Sequence, residues 1–287
     1  MSEMVVPADV PAGRPRLTRF QPFVAVAVIV IAAVVVCAAF GSLIAPYSAS
    51  AQNLGAALAG PGHGHLLGTD DLGRDVLSRV IVGARTALIG PAVVALGAMI
   101  IGTFLGLVAG YGGGTVGALI MRWVDLMYAV PQLLIAVVVV GILHGSYWEA
   151  VAVLIVLTAP GDTRIMRGGA VEQRGLPYVE AARVTGLPAR TIVFRHIWPS
   201  LMPLTVAQSF LNFATSIVTL AALSFLGLGV GPGAADWGRM LSEGLNFIAG
   251  NPLMAIAPGT CIILTAASMN VIGDWMYETL SARGRAR

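Results

Sequence analysis

The segment Gly175–Ser200 reads GLPYVEAARVTGLPARTIVFRHIWPS. Pro177 suits the first turn of a helix, where its missing N–H had no partner to lose. Gly186 suits the position just past a helix end. Between them the pattern predicts a helix of about two turns, Pro177 to Thr185. Pro188 opens a second short helix, and Pro199 precedes an apolar stretch. A helix this short is marginal alone in water. Tyr178, Val179, Ala181, Ala182 and Val184 give it an apolar side with little to cover it, and the small alanines admit a close partner. Glu180 and Arg183, spaced i and i+3, add polar contacts. Local physics leaves two readings open: a helix docked onto something else, or an amphipathic helix on a membrane surface.

The rest of the chain supplies the setting. It has 287 residues, 57% hydrophobic and only 11% charged, against about 25% charged in soluble domains. With a mean hydropathy of +0.84, too little polar surface exists to cover a water-soluble globule. Lipid must solvate much of it. All 17 basic residues are arginine. A Walker phosphate loop, G-x-x-x-x-G-K-[ST], requires lysine, so the chain does not hydrolyse ATP by that route. Cys37 and Cys261 lie in apolar runs as small hydrophobes, and no metal or disulfide framework is visible.

A membrane-crossing helix needs roughly 20 apolar residues. Six candidates emerge: Phe23 to Ala45, Ala87 to Ala109, Val116 to Leu143, Trp148 to Met166, Leu201 to Leu226 and Leu253 to Ile272. The first has no charge and reads as an uncleaved anchor, being longer than a secretory apolar core. The second carries Gly102, Gly106 and Gly110 at a spacing that lets helix backbones approach closely. Pro131 marks a kink in the third. Six spans put both termini on one side. Thirteen arginines, including Arg14, Arg16, Arg19, Arg122, Arg283, Arg285, Arg287 and those between spans four and five, fall on that side, and Arg74, Arg79, Arg85 and Arg239 on the other. Arginine excess marks the cytoplasm, which places there both termini and the 167–199 loop. The expected organisation is a tail over 1–22, a six-helix body over 23–280 and a tail over 281–287.

Glu180-Ala181-Ala182, Gly186 and His196-Ile197-Trp198-Pro199, in that order and spacing, resemble the EAA loop of ABC importer permeases. His65 to Arg79 (HLLGTDDLGRDVLSR), Leu223 to Gly229 (LSFLGLG) and Asn270 to Asp274 (NVIGD) resemble blocks of the dipeptide/oligopeptide branch, C-type subunit. The resemblance spans roughly residues 23–283. Trp198 and Ser200 stand where that family often has Leu and Asn, and Asn251-Pro252 replaces a Phe-Pro pair beyond Trp237.

The resemblance implies an all-α type I importer permease, multi-pass in a bacterial inner membrane. It implies ATP and Mg on one or two separate ATPase subunits, with no cofactor on this chain. It further implies a homologous second permease forming a heterodimer, an extracytoplasmic substrate-binding protein, and no nucleic acid. Tyr178, Glu180, Ala181, Ala182, Arg183 and Gly186 become the ATPase-coupling residues. Gly68, Thr69, Asp70, Gly73, Arg74 and Asp75 become an outer-face motif. Dipeptides or oligopeptides are the implied substrates, with nickel or glutathione as alternatives within the family.

Polar residues within the spans suggest where a solute passes. Asp125, Gln132, Asn212, Thr215 and Ser216 are candidates for a translocation path, although Asn212, Thr215 and Ser216 equally suit bonds between helices. Arg122 and Asp125, three apart, suggest a local ion pair; Asp75 and Arg79 suggest another, on the polar face of an interfacial helix from Leu72 to Arg85. His63 and His65 make a weak metal site. An intramembrane protease would need a Ser–His or Ser–Lys dyad or paired aspartates. Lysine is absent, no span holds a convincing Ser–His pair, and Asp274 falls at a span end.

Overall fold

The chain, in a computed structural model, is described over residues 22–62, 64–143 and 145–285. Arg14, Arg16, Arg19, His63, His144 and Arg287 lie outside the described residues, as do the side chains of Arg283 and Arg285. Helix α1 spans Pro22–Ile44, uncharged throughout and buried only at Val24, Ala27 and Gly41. Its remaining surface suits lipid, where a helix is stable because it satisfies its own backbone hydrogen bonds.

Helix α2 spans Val76–Leu107 and ends in a wide π turn over Val108–Gly112. The Asp75 side chain caps its start, accepting the Ser78 N–H at 2.8 Å. The interfacial helix expected from Leu72 to Arg85 therefore starts at Val76 and is the first part of α2 itself. Helix α3 (Gly114–Tyr128) and helix α4 (Gln132–Ile142) meet at Pro131 with an 85° bend. The third expected span is thus a broken pair, since Pro131 removes a helical donor.

Helix α5 covers Tyr147–Arg174, opened by a capping box between Ser146 and Glu149. It extends beyond the expected span and absorbs residues 167–174 of the expected loop. Helix α6 is Pro177–Val184; α7 is Ala189–Ile192, which runs through a second π turn, Val193–Ile197, into α8, Trp198–Phe225. Helix α9 is Trp237–Leu245 and α10 is Leu253–Arg285. The last stays helical where a tail was expected from residue 281. Among the described residues, four helical stretches are long and apolar enough to cross a membrane, and the bent α3–α4 pair is a fifth candidate. Helix α5 matches them in length but carries Glu149, Asp162, Arg164, Arg167, Glu172 and Arg174.

The α2–α5 pair is the spine. Its glycine stripe meets a stripe of the same four-residue spacing on α5. A Cβ at Gly102, Gly106 or Gly110 would lie 2.3, 2.5 or 2.6 Å from the Cβ of Asp162, Met166 or Ala170. Rising numbers on both helices show that they run parallel. Helix α8 runs the other way: Leu220 lies against Gly90, and Ser209 donates to Met99 Sδ. Three buried apolar clusters follow this frame. One joins α2, α8, α9 and α10 around Trp237; one joins α2, α4, α5 and α8 around Leu154; and one gathers Leu107, Ala170, Val179, Ala182, Ile192, Val193, Ile197 and Leu201 beneath α6.

Candidate functional sites at the two ends and the centre of the bundle

At one end α6 stands off the bundle as a short ledge. Pro177 occupies its first turn. Its C-terminus closes in a Schellman motif: Gly186 at φ +78° donates to the Arg183 carbonyl, and Leu187 donates to the Ala182 carbonyl. Two side chains root it, Val179 and Ala182, both buried in the cluster with Leu107 and Ile192. Tyr178, Glu180, Ala181, Arg183 and Val184 are exposed, Val184 to 88%. The apolar side expected from sequence is therefore divided: half is covered by this chain and half faces outward. Glu180 and Arg183 do not pair among the described residues. The Arg183 guanidinium lies 5.3 Å from the Tyr111 ring centroid instead, and the Tyr178 hydroxyl donates to Gln173 at 2.6 Å. Both π turns flank this ledge, and such turns recur at functional sites.

The opposite end holds the 65–79 motif, and most of its polar residues are buried rather than displayed. Asp70 Oδ1 accepts the backbone N–H groups of Leu72 and Arg74, and Oδ2 accepts Arg74 Nε at 2.6 Å. Arg79, only 1% exposed, lies 3.5 Å from Asp70 and 3.2 Å from Glu243 of α9. Arg74 and Arg79 both donate to the Gly233 carbonyl. Asp75 is occupied by Ser78 and by His65 at 2.8 Å, so the expected Asp75–Arg79 pair does not form. Thr69 donates to the Ala56 carbonyl and accepts from the Ala59 N–H. Gly73 is obligatory for space, because a Cβ there would fall 1.8 Å from the Asn53 carbonyl oxygen. Asn251, which marked a departure from the family pattern, donates to the Leu67 and Thr69 carbonyls. The motif is a structural hub tying the 45–75 segment to α2, α9 and α10. Among the described residues no group of three metal-ligating side chains forms around His65 or elsewhere.

Between the ends lies a cavity of about 370 Å³ bordered by α3, α4, α5 and α8. Gln132, Asn212 and Thr215 line it, as do Thr158, Asp162 and Gln208. Ser216 is buried away from this lining, and Asp125 sits outside it. Asp125 pairs with Arg164 of α5 at 2.7 Å rather than with Arg122, and Arg164 also lies 4.7 Å from the ring centroid of Tyr128. Helix α3 is turned so that Asp125 reaches α5, a cross-helix contact that spacing along one helix cannot reveal. Asn212 bonds Asp162 Oδ2 at 2.7 Å, combining the lining and helix-bonding roles. Sequence reasoning missed Asp162; its signal was a carboxylate two residues after Pro160 in an otherwise apolar run.

The family described as the binding-protein-dependent transport system inner membrane component matches residues 102–285. A dipeptide transport system permease protein of Alkalihalophilus pseudofirmus is 36% identical over 258 residues, covering 90% of this chain and 85% of the relative. A glutathione transport system permease protein of Pectobacterium atrosepticum is 38% identical over 224 residues, covering 78% and 74%. A di/tripeptide transport system permease protein of Pseudomonas aeruginosa is 37% identical over 257 residues, covering 87% and 84%.

Proposed function

The chain belongs to the family of binding-protein-dependent transport system inner membrane components, and from that premise we propose that it is one half of the membrane path of a di- or oligopeptide importer, with α6 as its coupling helix. It is an inner-membrane, multi-pass permease subunit and not an enzyme; ATP is hydrolysed in separate subunits. In the proposed assembly it forms a heterodimer with a homologous permease. One or two ATPase chains, carrying ATP and Mg, sit beneath α6, and an external binding protein delivers peptide to the end that holds Trp237. The arginine excess on the α6 side supports cytoplasmic termini. Glutathione, itself a tripeptide, is a second substrate reading, favoured by the Pectobacterium relative.

One observation carries the coupling assignment. Helix α6 is seated from below by Val179 and Ala182 while Tyr178, Glu180, Ala181, Arg183 and Val184 are left exposed. A contact on the free side can push the seat, and the seat is continuous with α2, α5 and α8. Rigid-body closure of the ATPases then rocks the helices about the cavity lined by Gln132, Asn212 and Thr215. The test uses the assembled complex in vesicles with its binding protein and labelled peptide. Glu180→Lys reverses an exposed charge without touching the buried seat. We expect peptide import to fall at least tenfold while the complex still hydrolyses ATP. Unchanged import per ATP hydrolysed refutes the coupling assignment.

A further inference from the structure

We infer that Asp162 is the cation-binding residue of the central cavity, where it holds the protonated amino group of a peptide in transit; this inference rests on the peptide-import reading above. Asp162 is 2% exposed yet belongs to the cavity lining. Its Oδ2 accepts from Asn212 and Gln208 also reaches the carboxylate, while Oδ1 is buried without a well-formed hydrogen bond among the described residues. Two neutral amides compensate a buried carboxylate, whose desolvation costs several kcal/mol, only in part, and an ionisable residue inside a membrane bundle marks a solute path by default. Packing restricts its retreat, because its Cβ is pressed against the backbone of α2 at Gly102.

The surroundings select the kind of cation. Asp162 is the one charged residue of the cavity lining, and its other polar side chains are Tyr128, Gln132, Thr158, Gln208, Asn212 and Thr215. The adjoining arginine, Arg164, is already committed to Asp125 and the Tyr128 ring. A single carboxylate amid hydroxyl and side-chain amide oxygens matches an ammonium group, which brings three N–H donors and no acceptor. The volume of about 370 Å³ falls within the small-molecule range of roughly 300–1,000 Å³.

The experiment uses the complete permease–ATPase complex in nanodiscs without its binding protein, titrated with labelled dialanine and with N-acetyl-dialanine. In the parent complex we expect acetylation to weaken binding at least tenfold. In Asp162→Asn, which retains the shape beside Asn212, free dialanine should bind at least tenfold more weakly and acetylation should have no further effect. Asp162→Glu should retain the preference for the free amine. The inference is overturned if the parent binds both peptides equally or binds neither, or if the effects of acetylation and Asp162→Asn simply multiply. Import by the parent complex with its binding protein is measured alongside. Absence of import overturns the peptide-importer reading, whereas import that ignores Asp162 and the free amine overturns only this assignment.

Discussion

Val179→Ala separates the seat of α6 from its free side. Val179 is completely buried in the cluster beneath the helix, and the substitution removes two methyl groups. At about 0.8 kcal/mol per buried carbon, the transfer loss is about 1.6 kcal/mol. A residual cavity raises the total to about 2 kcal/mol. Beyond the small buried Ala182, little else holds α6 down. Arg183 over Tyr111 is an exposed cation–π contact, worth about 0.5–1 kcal/mol, and the Tyr178–Gln173 bond is also exposed. The equilibrium for lifting α6 should therefore shift by about thirtyfold, at 1.4 kcal/mol per tenfold. Amide hydrogen exchange over Val179–Thr185 in the isolated permease reads this local opening, and it should quicken by about that factor. Val184→Ala, altering a side chain that is 88% exposed, should leave exchange there unchanged. In the assembled importer both variants should raise the ATP hydrolysed per peptide moved, for opposite reasons: one loosens the seat, the other thins the contact. Exchange in Val179→Ala within twofold of the parent, or equal to that of Val184→Ala, refutes the division of α6 into a rooted and a free face.

Gly106→Val should destabilise the α2–α5 pair by about 1–3 kcal/mol or more, because the added Cβ alone would stand 2.5 Å from Met166 Cβ and 2.8 Å from the Thr163 carbonyl; thermal unfolding in detergent checks it, and an unchanged midpoint contradicts the close approach. Arg79→Met keeps the bulk but removes one of the arginines that Asp70 and Glu243 share; Arg74 stays on Asp70 and Arg239 on Glu243, so the expected loss is about 1–3 kcal/mol, for partners left partly unsatisfied. Glu243→Gln, at a more exposed partner that Arg239 also contacts, should lose less, and the same unfolding assay ranks the two.

Much of this was legible in local chemistry. Pro177 and Gly186 set the limits of α6 to within a residue, since both act through backbone geometry that needs no partner. The stripe of Gly102, Gly106 and Gly110 announced a close helix contact, though not that α5 would supply it. Misreadings arose where a side chain had to choose between neighbours. Asp125 passed over Arg122 for Arg164, and Arg79 passed over Asp75 for Asp70 and Glu243. Spacing along one helix ranks only local options: buried Arg79 went to the counter-charges buried with it, whereas exposed Asp125 met Arg164 because α3 lies beside α5. Asp162 escaped for the same reason: its meaning depends on Asn212, 50 positions away, and on a cavity that exists only once α3 and α4 fold back at Pro131.

The same arrangement argues for how a push at α6 would reach the cavity. Ala170 belongs to the cluster that seats α6, and it faces Gly110 in the π turn that ends α2. Two turns back along α5, Asp162 faces Gly102 and lines the cavity. With no side chains on the α2 side of this seam, the two backbones leave no soft layer to absorb a displacement, as expected of a close-packed interior. Movement of the seat must therefore be shared by α2 and α5 as one body. What can yield is the far wall: α3 and α4, joined at the broken Pro131 corner and largely exposed. On this reasoning the cavity changes shape by motion of the α3–α4 corner relative to a stiff α2–α5 pair. A cross-link between α2 and α5 should then be tolerated during transport, whereas one between α4 and α5, near Gln132 and Thr158, should arrest it.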